Sequence, residues 1–155
     1  MASSTDPNLG LEHSWDFRES GWKTGMDANL KTLGAVVQLA VLSMTDDIPG
    51  TPTSGDRHII PTGATGAWAG RDGQIAVRVD DAWEYYTPAA GWRAWVADAG
   101  TMATYNGSDW IPEWIAAPAT PGADGVPGQM AHEPGFLYIC VAADTWERIA
   151  TTDTW

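Results

Sequence analysis

Carboxylates set beside tryptophans are the residues with which a protein could cut a glycosidic bond. One acid protonates the leaving oxygen, a second carboxylate attacks or activates water, and an indole holds the sugar ring. The chain offers Asp80, Asp81 and Glu84 around Trp83, and Asp109 and Glu113 around Trp110. With 20 Asp and Glu against 8 Lys and Arg, acids fall next to tryptophan by composition alone, so these are not read as a catalytic pair. His13, His58 and His132 have no second ligand at H-x-x-x-H spacing. There is no G-x-S-x-G elbow, and the Gly-rich stretches at 50–56 and 63–70 lack the lysine of a phosphate loop. The expectation is no catalytic residue, no metal ligand and no cofactor, hence not an enzyme.

Tryptophan itself is the stronger signal. The chain has 10 Trp but 2 Phe, and three tryptophans follow directly on polar turns, in "VDDAW", "YNGSDW" and "VAADTW". Such a Trp can clamp a hairpin across its turn or offer its face to a sugar. The clamp reading pairs Val79 with Trp83, Tyr105 with Trp110 and Val141 with Trp146. The platform reading takes Trp83, Tyr85, Trp92, Trp95, Tyr105, Trp110, Tyr138 and Trp146 as possible glycan-binding residues.

The elements that would position them are mostly strands. Residues 1–23 show no period and read as an N-terminal arm. Residues 24–45 read as the one helix, with Thr24 and Asp27 resembling a capping box. Met26, Leu30, Leu33, Val37, Ala40 and Met44 recur there at alternating spacings of four and three, an oligomerisation stripe of the coiled-coil kind. The same face could equally lie on the chain's own β domain. Past the Pro- and Gly-rich 46–56 the pattern changes to period two. Ile75, Val77 and Val79 share a face that Trp83 and Tyr85 can join, and Asn106-Gly107 marks a hairpin. Residues 46–117 read as an antiparallel β domain, 118–128 as a Gly/Pro-rich linker with brief Gly-X-Y spacing, and 129–155 as a β-hairpin tip. The fold class expected is mainly β with one N-terminal α-helix.

Charge and cysteine usage narrow the partners. A net charge of −12 with no basic run leaves no cationic face for nucleic acid or an anionic bilayer. The single Cys140 lies in the apolar run "FLYICVA" and reads as a buried thiol. No signal peptide and no membrane-spanning run is seen, so synthesis in a reducing cytoplasm is expected.

Three successive stretches carry a resemblance: "LGLEHSWDFRESGWKTGMDANLKTLGAVVQLAVLSM", "GDRHIIPTGATGAWAGRDGQIAV" and "GWRAWVADAGTMATYNGSDW". They resemble a domain-of-unknown-function family found in phage and prophage tail or fibre proteins and in head spikes of gene transfer agents. The C-terminal "GQMAHEPGFLYICVAADTWERIA" is similar to short β tips that end phage tail fibres. The resemblance implies a structural virion protein, a short fibre or spike assembled as a homotrimer. In that setting Leu9, Leu11, Trp15, Phe17 and Trp22 of the arm would anchor it to other virion proteins of capsid, neck or tail. The β domain and tip would meet host-surface glycan. A decoration or cement protein without receptor binding is the alternative, and a glycan-degrading enzyme a third.

Overall fold

The computed structural model describes residues 3–151. The first two residues of the arm and residues 152–155 of the tip lie outside the described residues. The chain is mainly β with a single α-helix, in element order β1 (Ser4–Thr5), β2 (Glu12–His13), α1 (Trp22–Val36), β3 (Ala40–Val41), β4 (Arg57–Ile59), β5 (Ile75–Val79), β6 (Ala82–Tyr86), β7 (Arg93–Val96), β8 (Thr101–Tyr105), β9 (Trp110–Pro112), β10 (Trp114–Ile115), β11 (Met130–Glu133), β12 (Phe136–Ala142) and β13 (Thr145–Ala150).

The helix is shorter than its heptad pattern predicts. It begins after Gly21, which takes φ 98°, and no side chain caps it. Thr24 lies inside it, and Asp27 pairs with Lys23 four residues earlier instead of closing a capping box. Val37 is already extended at ψ 128° and Gln38 turns at φ 51°. Beyond them Leu39 and Val41 alternate into the core. Burial of this apolar run as a strand overrides the helical spacing. The expected stripe is therefore broken. Met26, Leu30 and Leu33 lie on α1, Val37 caps it, Ala40 belongs to β3, and Met44 packs against the core from the loop beyond.

Two sheets build the main body. One has the order β3-β7-β8-β9, with β3 parallel to β7 and the other pairs antiparallel. The other is β4-β5-β6, antiparallel throughout. The segment after the helix joins them: Trp95 and Ala97 donate to the carbonyls of Leu39 and Val41 on one side, and Leu42 donates to Arg57 on the other. Ala35, Leu39, Val41, Ile59, Ile75, Val77, Ala94, Val96, Ala103 and Trp110 fill the core between these elements.

The tip is larger than the expected hairpin. It is a four-stranded sheet, β10-β11-β12-β13, in which β10 runs parallel to β11. Trp114 and Ile115, expected in the β domain, thus belong to the tip's sheet. The Gly/Pro-rich stretch is not a free linker but a strap across that sheet. Pro121 accepts the Trp146 backbone N–H at 2.8 Å, Ala123 accepts its indole Nε1–H at 3.1 Å, and Gly125 exchanges bonds with Asp144. A Cβ on Gly125 would stand 2.7 Å from the Trp146 ring, so close approach to this indole, not a collagen-like repeat, requires glycine there. Under the strap lie Ala131, Tyr138, Trp146 and the buried Cys140.

The arm is ordered by its own turn and by the helix. Asp6 accepts the backbone N–H groups of Asn8, Leu9 and Leu11, which holds its carboxyl below the usual range. Asn29 of α1 then treats β2 as a neighbouring strand. Its Oδ1 accepts the Glu12 N–H at 2.8 Å and its Nδ2 donates to the Glu12 carbonyl at 2.7 Å. Glu12 and Trp15 close over Gly25, where a Cβ would come within 2.9 Å of the Trp15 ring.

Candidate functional site: aromatic faces and the tip groove

Register decides which aromatics are available. Asp80 takes φ 51° and the turn after β5 has only two residues, Asp80 and Asp81. Val79 therefore pairs with Ala82, and Trp83 stands opposite Arg78 rather than clamping Val79. One residue of register moves a side chain to the other face. Trp83 and Tyr85 thus lie on the side away from Ile75, Val77 and Val79, contrary to expectation.

There they form a second layer with His58 and Trp68. The His58 ring lies 5.4 Å from Trp68 and 6.1 Å from Trp83, and the two indoles meet edge to face at 5.2 Å. Tyr85 donates to the Ala67 carbonyl and carries the Arg71 guanidinium over its ring at 3.8 Å. His58 is 4% exposed, and neither ring nitrogen has a hydrogen-bond partner among the described residues. Burial holds its pKa below the ordinary value, against the weaker pull of Asp56, Asp46 and Asp98. A neutral imidazole between two indoles completes a packing layer. Neither His58 nor the fully buried Trp68 was marked by spacing, since each sits in a segment without a turn–Trp unit.

The Asn-Gly hairpin forms the expected clamp. Tyr105 pairs with Trp110 at 5.4 Å between rings, and Asn106 Oδ1 accepts from Ser108 and Asp109. The Trp110 indole donates to the Gly73 carbonyl at 2.9 Å, which fastens this hairpin to the sheet beside it. In the tip, a bulge between Cys140 and Ala142 places Trp146 opposite Cys140, so Val141 points to solvent and is not its partner.

Trp110, Tyr138 and Trp146 are buried, which withdraws their ring faces from a sugar-stacking role. Trp83, Tyr85, Trp92 and Tyr105 are half-buried. Trp95 is 44% exposed on the outer face of β7. Trp114, missed because it follows a Pro-Glu pair instead of a turn, is 40% exposed. It meets His132 edge-on at 5.8 Å beside a groove of about 700 Å³ that also touches Ala99 and Gly100.

The carboxylates first weighed for chemistry have other work. Lys31 and the Tyr86 hydroxyl both donate to Glu84, which keeps its carboxyl low, while burial and Glu84 push the Tyr86 phenol up to about 12. Glu113 pairs with Arg93, Asp80 and Asp81 make the turn after β5, and Asp109 is an exposed member of the Asn106 turn. Among the described residues, no cluster of three or more His, Cys, Asp or Glu is placed to hold a metal ion.

A further concavity lies on the tip, beside the strap. Its volume is about 500 Å³, and it runs between residues 117–121 and the side chains of Glu133, Tyr138, Trp146 and Arg148. Pairing sets Tyr138 opposite Arg148. The Tyr138 hydroxyl donates to Glu133, which raises the phenol's pKa, and Arg148 lies over the Phe136 ring at 4.5 Å.

Of the arm residues expected to anchor, Leu9 lines a small crevice with Val36, Val37 and Trp92, and Leu11 is half-buried. Trp15 covers Gly25. Phe17 and Trp22 stand free to solvent, Phe17 at 90% exposure.

A docked arm, one short helix and tryptophan-fastened sheets define a small, mainly β module. The chain belongs to the family described as "Protein of unknown function (DUF2793)", which matches residues 26–111, from the first turns of α1 to β9. It is also similar to "Depolymerase 1, capsule K30/K69-specific" of Klebsiella phage K5-2, 32% identical over 80 residues, 44% of this chain and 10% of that protein. A second relative is "Depolymerase, capsule K30/K69-specific" of Klebsiella phage K64-1, 32% identical over 71 residues, 41% of this chain and 9% of that protein. The chain thus spans about a tenth of the length of these curated relatives. No solved structure matches it.

Proposed function

We propose that the chain is a virion protein of a bacteriophage, a short fibre or spike associated with the tail or head and exposed on the particle, where it contributes to adsorption on host-surface glycan. The observation that carries this reading is the sequence shared with two phage proteins named for a bacterial capsule. The matched segment makes up about a tenth of each of those proteins, and both names specify a bacterial capsule. The exposed Trp95 and Trp114 supply indole surface for weak, repeated contacts, which gain strength when several copies act together.

Several further parts belong to the same proposal. The exposed Phe17 and Trp22 are the arm residues left to contact capsid, neck or tail proteins. Copies associate, as a trimer, and the chain is made in the bacterial cytoplasm before assembly. It does not cleave glycan by itself. Nucleic acid and membrane are not its partners. A decoration protein without receptor role is the second reading, favoured by the burial of Trp110, Tyr138 and Trp146.

The test is retention of purified capsular polysaccharide from the phage's host by the immobilised chain, with reducing ends assayed in the flow-through. Retention without new reducing ends is expected. No retention, together with particles that lose integrity when the gene is deleted, would establish the decoration reading, and new reducing ends would establish an enzyme.

A further inference from the structure

We infer that the tip groove bounded by the strap binds one neutral pyranose unit through a pair of adjacent hydroxyls. This inference rests on the adsorption role proposed above and gives it a site.

A sugar hydroxyl both donates and accepts. Two neighbouring ones are best met by a fork of N–H donors set beside a carboxylate. The groove has both. Arg148 supplies the donors, and its position over the Phe136 ring restrains a side chain that would otherwise sweep freely. Glu133 supplies the acceptor, and the Tyr138 hydroxyl, opposite Arg148 in the strand pair, fixes that carboxylate by donating to it. The three groups come from β11, β12 and β13, so the sheet and not a loop sets their spacing. On the far wall, Pro118, Ala119 and Pro121 of the strap offer an apolar border for the C–H face of a ring, with the Thr120 hydroxyl beside them. The volume of about 500 Å³ falls within the range of small-ligand sites.

Charge selects among sugars. Glu133 stands in the groove itself, and the chain carries −12 overall. Within the groove Arg148 and Glu133 offset one another, so a neutral hexose leaves the pair balanced. A uronic acid would set a second carboxylate beside Glu133 in a chain that is already strongly acidic, and the occupant assigned is a neutral hexose.

Saturation-transfer NMR on the full chain tests this, with the methyl glycosides of mannose, galactose and glucuronic acid as probes. Transfer to one or both neutral glycosides is expected, with little to the glucuronide. Arg148→Met keeps the stem over Phe136 but removes the donors, and Glu133→Gln keeps the shape but removes the charge. Each should weaken the neutral glycoside by about tenfold, the worth of one hydrogen bond to a charged group. Arg93→Met, on the main body, should leave it unchanged. Arg148 and Glu133 are both exposed, and thermal melts matching the wild type confirm that the variants fold. Unchanged transfer in both tip variants, or a preference for the glucuronide, overturns the site. The polysaccharide-retention assay separates the two levels. Retention that survives both tip variants removes this groove and leaves adsorption standing. Glycoside binding at the groove without polysaccharide retention upholds the site and removes the adsorption role.

Discussion

His58 is the residue whose environment makes the sharpest demand. Its ring is sealed between Trp68 and Trp83 with no partner for either nitrogen among the described residues. The folded state therefore disfavours the imidazolium, and the unfolded chain binds a proton more readily. Stability is complete above the ordinary histidine value of 6.5 and is lost as pH falls below it. Glu84 also has a lowered pKa, but its contribution is lost only further down, in the carboxylate range. A melting curve should thus fall between about pH 7.5 and about pH 5.5. His58→Leu, which cannot charge, should flatten that part of the curve. An unchanged slope in the variant would show that the decline belongs to other groups.

At the scale of elements, two glycines record where one segment lies on another. Gly25 lets Glu12 and Trp15 of the arm sit on the helix. Gly25→Ala should favour the helix itself by roughly 1 kcal/mol while lifting the arm from it. The expected result is faster tryptic cleavage after the exposed Arg18, with a melting temperature no lower than the wild type's. Asn29→Ala should give the same cleavage by removing both bonds to Glu12. Gly125 is the counterpart in the tip, where a side chain would collide with the Trp146 ring itself. A valine there should cost about 1–3 kcal/mol by overpacking, read as a lower urea midpoint and a red-shifted tryptophan emission.

The whole molecule was legible in its broad class and in places where one local signal decides the geometry. Asn106-Gly107 fixes its turn by itself, so the Tyr105–Trp110 pair could be foreseen. Val79 and Trp83 could not be paired correctly, because a non-glycine, Asp80, takes the left-handed conformation and shortens the turn by one residue. The helix end was hidden for a different reason. Residues 37–44 fit a heptad and an alternating strand almost equally, and only burial of Leu39 and Val41 between two sheets chooses the strand. The tip groove depends on a parallel pairing of β10 with β11 and on a strap that folds back, both non-local. Besides the helix, where Leu30 and Val37 stay exposed, a second surface is open to the proposed self-association. The uncovered side of the tip sheet carries Trp114, Leu137, Ile139 and Ile149 at exposed or half-exposed positions. If copies associate there, Ile149→Asp should lower the mass seen by mass photometry, whereas Leu33→Asp should not. The reverse outcome would return association to the helix, and a wild-type monomer at micromolar concentration would end the trimer proposal.

Glu113 closes the contact between main body and tip. Its N–H donates to Met102 in β8, and its carbonyl accepts from Met130 at the start of β11. Gln129 adds a side-chain bond to the Pro112 carbonyl, and Thr101 accepts the Trp114 N–H. A pull on the far end of the tip therefore meets no slack joint. The force passes from β10 and β11 into β8 and β9 through these bonds. A tip joined in this way hands tension on to the main body without first uncoiling.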